Sequence, residues 1–259
     1  MNGQIDQSHH RGYEQPSLRW TVAPIVGLLL LAAAGCNNFD AQARNAEGVR
    51  LFEQARYHDA LRQFQEANYA DAKNVDAYYN LAATYHRLGT VEQNETYVRQ
   101  AENYYRMALA RDEDHSDAHR GLAVLLTDTG RSQEAFALLD AWAARNPGSA
   151  DAKIELARLC QEFGDHENAK TRLTEALALD PASARAWTAL GHLREQLGEH
   201  GAALHDYQQS LAHNRFQPGV AARVASLRAS GAYTGGVIGQ PVPQTDGTRL
   251  VEQPPTPRR

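Results

Sequence analysis

Three glycines, Gly130, Gly164 and Gly198, stand 34 residues apart, and the residues around them repeat with them. The same step carries Ala135 to Ala169 and Ala203, and Leu122 to Leu156 and Leu190. A period that keeps small and large apolar positions together is the mark of a chain built from stacked copies of one supersecondary unit. Residues 150–183 show the unit most clearly. Ile154, Leu156, Ala157 and Cys160 recur at helical spacing, Gly164 and Asp165 end that helix, and Ala169, Leu173, Ala176 and Leu177 form the inner stripe of a second one before Pro181. Neither helix can bury its stripe alone. Ala157, Ala169 and Ala176 let two backbones approach closely, so the unit is a helical hairpin that needs neighbours on both sides.

The copies carry a further pattern: a large residue early in the first helix, Leu followed by a small residue, a small residue opening the second helix, then an aromatic and a closing Pro. Residues Trp187, Leu190, Gly191, Ala203 and Tyr207 supply it in one copy, Leu156, Ala157, Ala169, Ala176 and Pro181 in another, and Tyr78, Leu81, Ala82, Tyr85 and Gly89 in a third. In this the chain resembles the tetratricopeptide repeat (TPR) family, and the bacterial lipoproteins among them. The fold expected is an all-α solenoid of about five hairpins over 46–229. The copies fall at about 41–74, 75–115, 116–149, 150–183 and 184–217, followed by a capping helix at 218–229 in which Val220, Val224 and Leu227 oppose Arg223 and Arg228.

Two copies depart from the pattern. In the second, Gly89 to Ala101 is seven residues longer than the corresponding Gly164 to Ala169, and the stretch holds no Pro or Gly. The expectation is a longer second helix, either a tolerated insertion or a ledge on which Tyr97 and Tyr104 meet a partner. In the third, Trp142 replaces the Ala176 of the fourth. Either the hairpins splay apart there or the indole covers the edge of the seam, and the flanking Ala141, Ala143 and Ala144 favour the edge.

The N-terminal residues bear on location. A polar leader with Arg11 and Arg19 precedes an apolar run at 20–35, which ends Ala33-Ala34-Gly35-Cys36. The run is shorter than the roughly 20 residues a bilayer span needs and contains Pro24 and Gly27. This resembles a lipoprotein signal peptide (1–35) that delivers Cys36 for lipidation, followed by a tether at 36–45; Ala33 in place of Leu and the long leader depart from the common form. Each buried lipid methylene contributes roughly 0.8 kcal/mol, so acylation holds a protein on a membrane without a spanning helix. An uncleaved N-terminal anchor in the inner membrane is the alternative, and in both cases the repeats face the periplasm. Residues 230–259, rich in Gly, Pro, Gln and Thr, cannot offset their ordering cost and are expected to be disordered. Tyr233 and the pair Val237 and Ile238 stand there as an idle stretch or a short linear motif.

Chemistry is sparse. A net charge of −5 with 22% charged residues lacks the basic excess of a nucleic-acid binder. His115 and His119, with Asp112, Glu113, Asp114 and Asp117, read as a solvated turn rather than a metal site, and Cys160 as apolar filler. His166 and His192 are placed outward by register. No HExxH, phosphate loop or GxSxG is present, so no enzyme activity, metal or cofactor is expected.

Function then rests on shape. In the family, first helices line a concave face. The residues this assigns to it are Asn45, Tyr79, Asn80, Arg87, Arg120, Arg158 and His192, among Asp76, Asp128, Glu162 and Glu195. Of the lysine and asparagine set with which chaperone-binding relatives hold a carboxylate, only Asn80 matches. The resemblance implies an interaction scaffold of the cell envelope that takes a protein or peptide in its groove. The alternatives are a pilotin-like assembly factor, an accessory subunit of a secretion, pilus or cell-wall complex, and a structural homo-oligomer.

Overall fold

The computed structural model describes residues 40–231 and, apart from them, Pro257. Cys36, the signal segment and most of the 230–259 stretch lie outside the described residues. Within them are eleven helices and no strand: α1 (40–53), α2 (Tyr57–Ala70), α3 (Val75–Glu92), α4 (Glu95–Leu109), α5 (Ser116–Asp128), α6 (Ser132–Arg145), α7 (Ala150–Glu162), α8 (His166–Leu179), α9 (Ala184–Gln196), α10 (His200–His213) and α11 (Pro218–Ala229). Residues 40–45, expected as tether, are already the first turns of α1, with Ala41 buried.

The helix ends follow from local chemistry. Side chains of Asn74, His115, Ser149 and Ser183 each accept a hydrogen bond from the backbone N–H three residues on, which opens α3, α5, α7 and α9. Gly130, Gly164 and Gly198 sit at φ of +75°, +76° and +77°, the left-handed turn that closes a helix and that glycine adopts without strain. The same place is held at φ 58° by Ala55 after α1 and at φ 52° by Gln93 after α3.

Gln93 locates the insertion. The Asn94 N–H closes the turn onto the Gly89 carbonyl at 3.0 Å, so Gly89 lies inside α3 rather than ending it. The extra residues go mainly into the first helix: α3 has 18 residues where α5, α7 and α9 have 13, while α4 has 15. The expected long second helix is therefore corrected. The reason is close packing: a Cβ on Gly89 would stand 2.8 Å from Val98 Cγ2, so the glycine serves the approach of α4 and not a turn.

Each hairpin packs on the next through apolar seams in which Ala157, Ala169, Ala176 and Ala203 are buried, as their size requires. First helices of neighbouring repeats also touch one another, α3 with α5, α5 with α7 and α7 with α9, whereas second helices meet at most marginally. A stack that is tight along one row and open along the other bends, with the first helices on the inner face. Trp142 departs from the expectation that it covers the edge of the seam. It is 1% exposed, stacked on His119 with ring centroids 4.2 Å apart, and its indole N–H donates to Asp114 Oδ1 at 3.2 Å. His119 occupies the place of Trp187 in the fifth copy, so a smaller ring on α5 makes room for the larger one on α6.

Candidate functional site

The inner face is a row of polar side chains bridging first helices. The bridges join α1 to α3 and α7 to α9, at turns that sit about one repeat apart. Asn80 Nδ2 donates to Asn45 Oδ1 at 2.8 Å, and both residues are buried. Asp151 on α7 accepts from Arg185 on α9 at 2.6 Å, and Arg185 also pairs with Glu155. Glu155, 2% exposed, is approached from its own helix by Arg158 Nε at 3.5 Å. A carboxylate so deeply placed is stable only because two guanidinium groups flank it. Gln161 hydrogen-bonds Gln196 across the same seam.

Against this face the sequence-assigned groove residues divide. Tyr79 and Asn80 are buried in the packing between hairpins, at 2% and 0% exposure, and present no open surface. Tyr79 lies beside the rings of Tyr105 and His115. Arg87 turns toward the other repeat edge: its Nε donates to the Tyr57 hydroxyl at 3.1 Å and its guanidinium lies over that ring. His192 is half-buried rather than outward. The Tyr207 hydroxyl donates to Glu195 Oε2 at 2.7 Å and lies 2.8 Å from His192 Nδ1, so the imidazole supplies its Nδ1–H to the tyrosine oxygen. Burial, then the nearby Arg223 guanidinium, hold the His192 pKa below its ordinary value. His166 is likewise half-buried.

Arg120 and Arg158 do meet. They line one shallow notch between α5 and α7, with Ala123, Val124, Leu139 and Leu159 as apolar lining and Thr127, Glu155 and Glu162 as its polar members. Arg158 is engaged with Glu155. Arg120, half-buried, has no hydrogen-bond or ion-pair partner among the described residues. The planar fork of an arginine held partly out of water suits a carboxylate or two carbonyls.

Elsewhere the titratable groups are structural. His115 and His119, read as a solvated turn, are buried at 4% and 1%. The His115 ring Nδ1 caps α5 by accepting from the Ala118 N–H, and His119 Nε2 donates to the Glu113 carbonyl at 2.8 Å. Cys160 is 8% exposed, and burial raises its thiol pKa, the reverse of what a nucleophile needs. Among the described residues no group of His, Cys, Asp and Glu is arranged to hold a metal ion, and no helix is long and apolar enough to cross a membrane.

Two of these features were within reach of the sequence. Asp151 and Arg185 are opposite charges one repeat apart, as are the matched amides Asn45 and Asn80 within one residue of that spacing. The burial of Glu155 had no such signal.

Known proteins bear out the architecture. Family models described as tetratricopeptide repeat match residues 45–101, 97–150, 130–193 and 184–214. No curated protein matches the chain. Among solved structures, a thermophilic TPR protein of Thermus thermophilus superposes with a TM-score of 0.57 at 24% identity, covering 73% of this chain and 99% of that one. The Cut9–Hcn1 hetero-tetramer of the APC/C gives 0.51 at 19% identity, over 74% of this chain and 37% of that one. At these identities the likeness is one of fold. The matched repeats run through most of the described helices, and the chain belongs to the tetratricopeptide repeat family.

Proposed function

We propose that the protein is a non-catalytic scaffold that binds a peptide or protein segment along its inner face, with Arg120 and Arg158 as the centre of the contact. The observation that carries this is the half-buried Arg120, without an ion-pair partner among the described residues, beside an apolar lining on the row of first helices. Arginine in a partly desolvated pocket is among the side chains that dominate interface energies. Repeat families of this kind generally supply interaction surfaces rather than reaction centres, and the sequence carries no HExxH, phosphate loop or GxSxG.

The place of action we assign is the cell envelope, with the repeats in the periplasm and Cys36 lipidated. Support comes from the short apolar run and the Ala-Ala-Gly-Cys ending at 33–36. Replacement of Cys36 by Ser should release the protein from membranes; retention there would favour an uncleaved anchor. Within such an envelope role, an assembly factor or accessory subunit is the natural employment of a tethered scaffold.

The test of the groove is comparative. Partners recovered on the wild-type protein should be lost on Arg120→Glu and kept on Lys170→Glu, whose side chain lies on the outer helix α8. Circular dichroism and unfolding midpoints establish that both variants are folded. Equal recovery by all three proteins would remove the inner face from consideration.

A further inference from the structure

The turn between α3 and α4 reads Glu92-Gln93-Asn94-Glu95-Thr96 and contains the one Asn-x-Ser/Thr triplet of the sequence, with Glu rather than Pro at its centre. Such a triplet accepts Asn-linked saccharides on exported chains. Glu92, two places ahead of the asparagine, extends it to the acidic form that acceptor sites of bacterial envelopes carry. A triplet arises readily by chance, so its place in the fold decides whether it carries weight.

The place suits the chemistry. It lies in the insertion of the second copy, where Gln93 at φ 52° makes the turn instead of a glycine, and Glu92, Gln93, Glu95 and Thr96 are all exposed. Asn94 opens α4, its Oδ1 accepting from the Thr96 N–H at 2.9 Å. Its Nδ2, the atom that would carry a saccharide, is neither engaged by a described residue nor sealed from solvent. Asn45 and Asn80, by contrast, are buried against each other. A glycosylated asparagine keeps its amide oxygen, so the cap on α4 survives substitution at the nitrogen. Val91, a large apolar side chain left 56% exposed, stands three residues before Asn94 and so at most about 11 Å from it along the chain. A saccharide on Asn94 shields it.

We propose that Asn94 is the site of an Asn-linked saccharide, added as the chain crosses into the periplasm. This rests on the envelope assignment, since the chain must meet a transferase outside the cytoplasm. In the transfer, Nδ2 attacks the anomeric carbon of a saccharide carried on a polyprenyl diphosphate. The C–N bond forms as the C–O bond to the diphosphate breaks; the diphosphate leaves with the electron pair, and Nδ2 gives one proton to a base of the transferase. The crossing segment is not yet folded, so the later pairing of Glu92 with His58 does not oppose the reaction. None of residues 91–97 lines the Arg120 notch, so the saccharide leaves the inner face open.

The full chain, isolated from the cells that produce it and digested with trypsin, yields the peptide 88–99, bounded by Arg87 and Arg99. In the wild type this peptide should carry the added mass of a saccharide, placed on Asn94 by fragmentation. Thr96→Val removes the hydroxyl of the triplet yet keeps the backbone N–H bound by the cap, and Asn94→Asp keeps the capping oxygen while removing the nitrogen. Both should abolish the added mass with the circular dichroism spectrum unchanged, whereas Thr96→Ser should retain it. A bare wild-type peptide on chain recovered with the envelope overturns the proposal and leaves the envelope assignment standing; a bare peptide on chain found only in the cytosol overturns both. Added mass that survives Thr96→Val, or that sits on a residue other than Asn94, likewise overturns the proposal.

Discussion

The pairing of His119 with Trp142 shows how a single residue ties packing to protonation. His119 is enclosed by the indole, donates to the Glu113 carbonyl, and is kept from charging chiefly by burial, which lowers its pKa from the usual 6.5. The nearby Arg145 acts in the same direction, while Asp114 and the carbonyl oppose it. His192 is lowered as well. In the unfolded chain both imidazoles take up a proton as pH falls through about 6.5. The folded protein resists that uptake, so the unfolded state binds more protons and stability drops as pH falls through this window. The buried Asp206, raised by desolvation against Arg194, has the opposite sign over a window that runs upward from its unfolded value of 3.8. Carboxylates such as Glu102, held down by Arg131 and Arg106, add to acid lability only at or below their usual 4.5. Between about pH 7.5 and 5.5 the two histidines thus contribute a fall of stability as pH falls. The His119→Gln protein should show a shallower fall of the urea midpoint over that range than the wild type; an unchanged slope would mean that His119 charges as freely folded as unfolded.

At the scale of the helix, glycine carries two different messages, and the sequence separates them only in part. Gly130, Gly164 and Gly198 repeat at the period because each must adopt positive φ, which makes helix ends legible from spacing alone. Gly191 and Gly121 instead sit under aromatic rings. A Cβ on Gly191 would lie 2.7 Å from the Tyr207 ring, whose hydroxyl is held by Glu195 and His192 and cannot withdraw. Gly191→Ala should therefore cost about 1–3 kcal/mol. Gly201, in the first turn of α10 with open space around it, should gain up to about 1 kcal/mol on the same change. Chemical denaturation of the two variants reads the contrast directly, and equal effects would show that helix propensity rather than contact decides both. Gly89 belongs with the second kind although its spacing matches a terminator, because its role is contact with Val98. The groove is less legible than the fold because the side of a first helix that faces water in a lone hairpin faces the next hairpin in a stack. Tyr79 and Asn80 are on that side and are buried, whereas Arg120, one repeat on, remains at the notch.

Across the whole molecule, these local seams replace a central core. The buried residues fall into separate clusters, one around Phe64 and Leu81, one running from Tyr78 to Leu159, one around Leu173 and Leu190, and one joining Ala203, Tyr207, Val220, Val224 and Leu227. Stability in such an array is a sum over repeats and their nearest interfaces, so damage at one end weakens its neighbours before the rest. Val224 is 7% exposed and packs α11 onto α10. A carboxylate in its place is left buried without a partner in an apolar seam. Val224→Asp should consequently strip amide-exchange protection from α11 and α10, reduce it in α9, and leave α3 to α5 at wild-type rates. The gradient is the informative quantity. A uniform loss of protection from α3 to α11 would mean that the hairpins unfold as one cooperative body and that the period in the sequence describes construction without describing energetics; protection that decays with distance from α11 ties the 34-residue repeat to how the folded chain holds together.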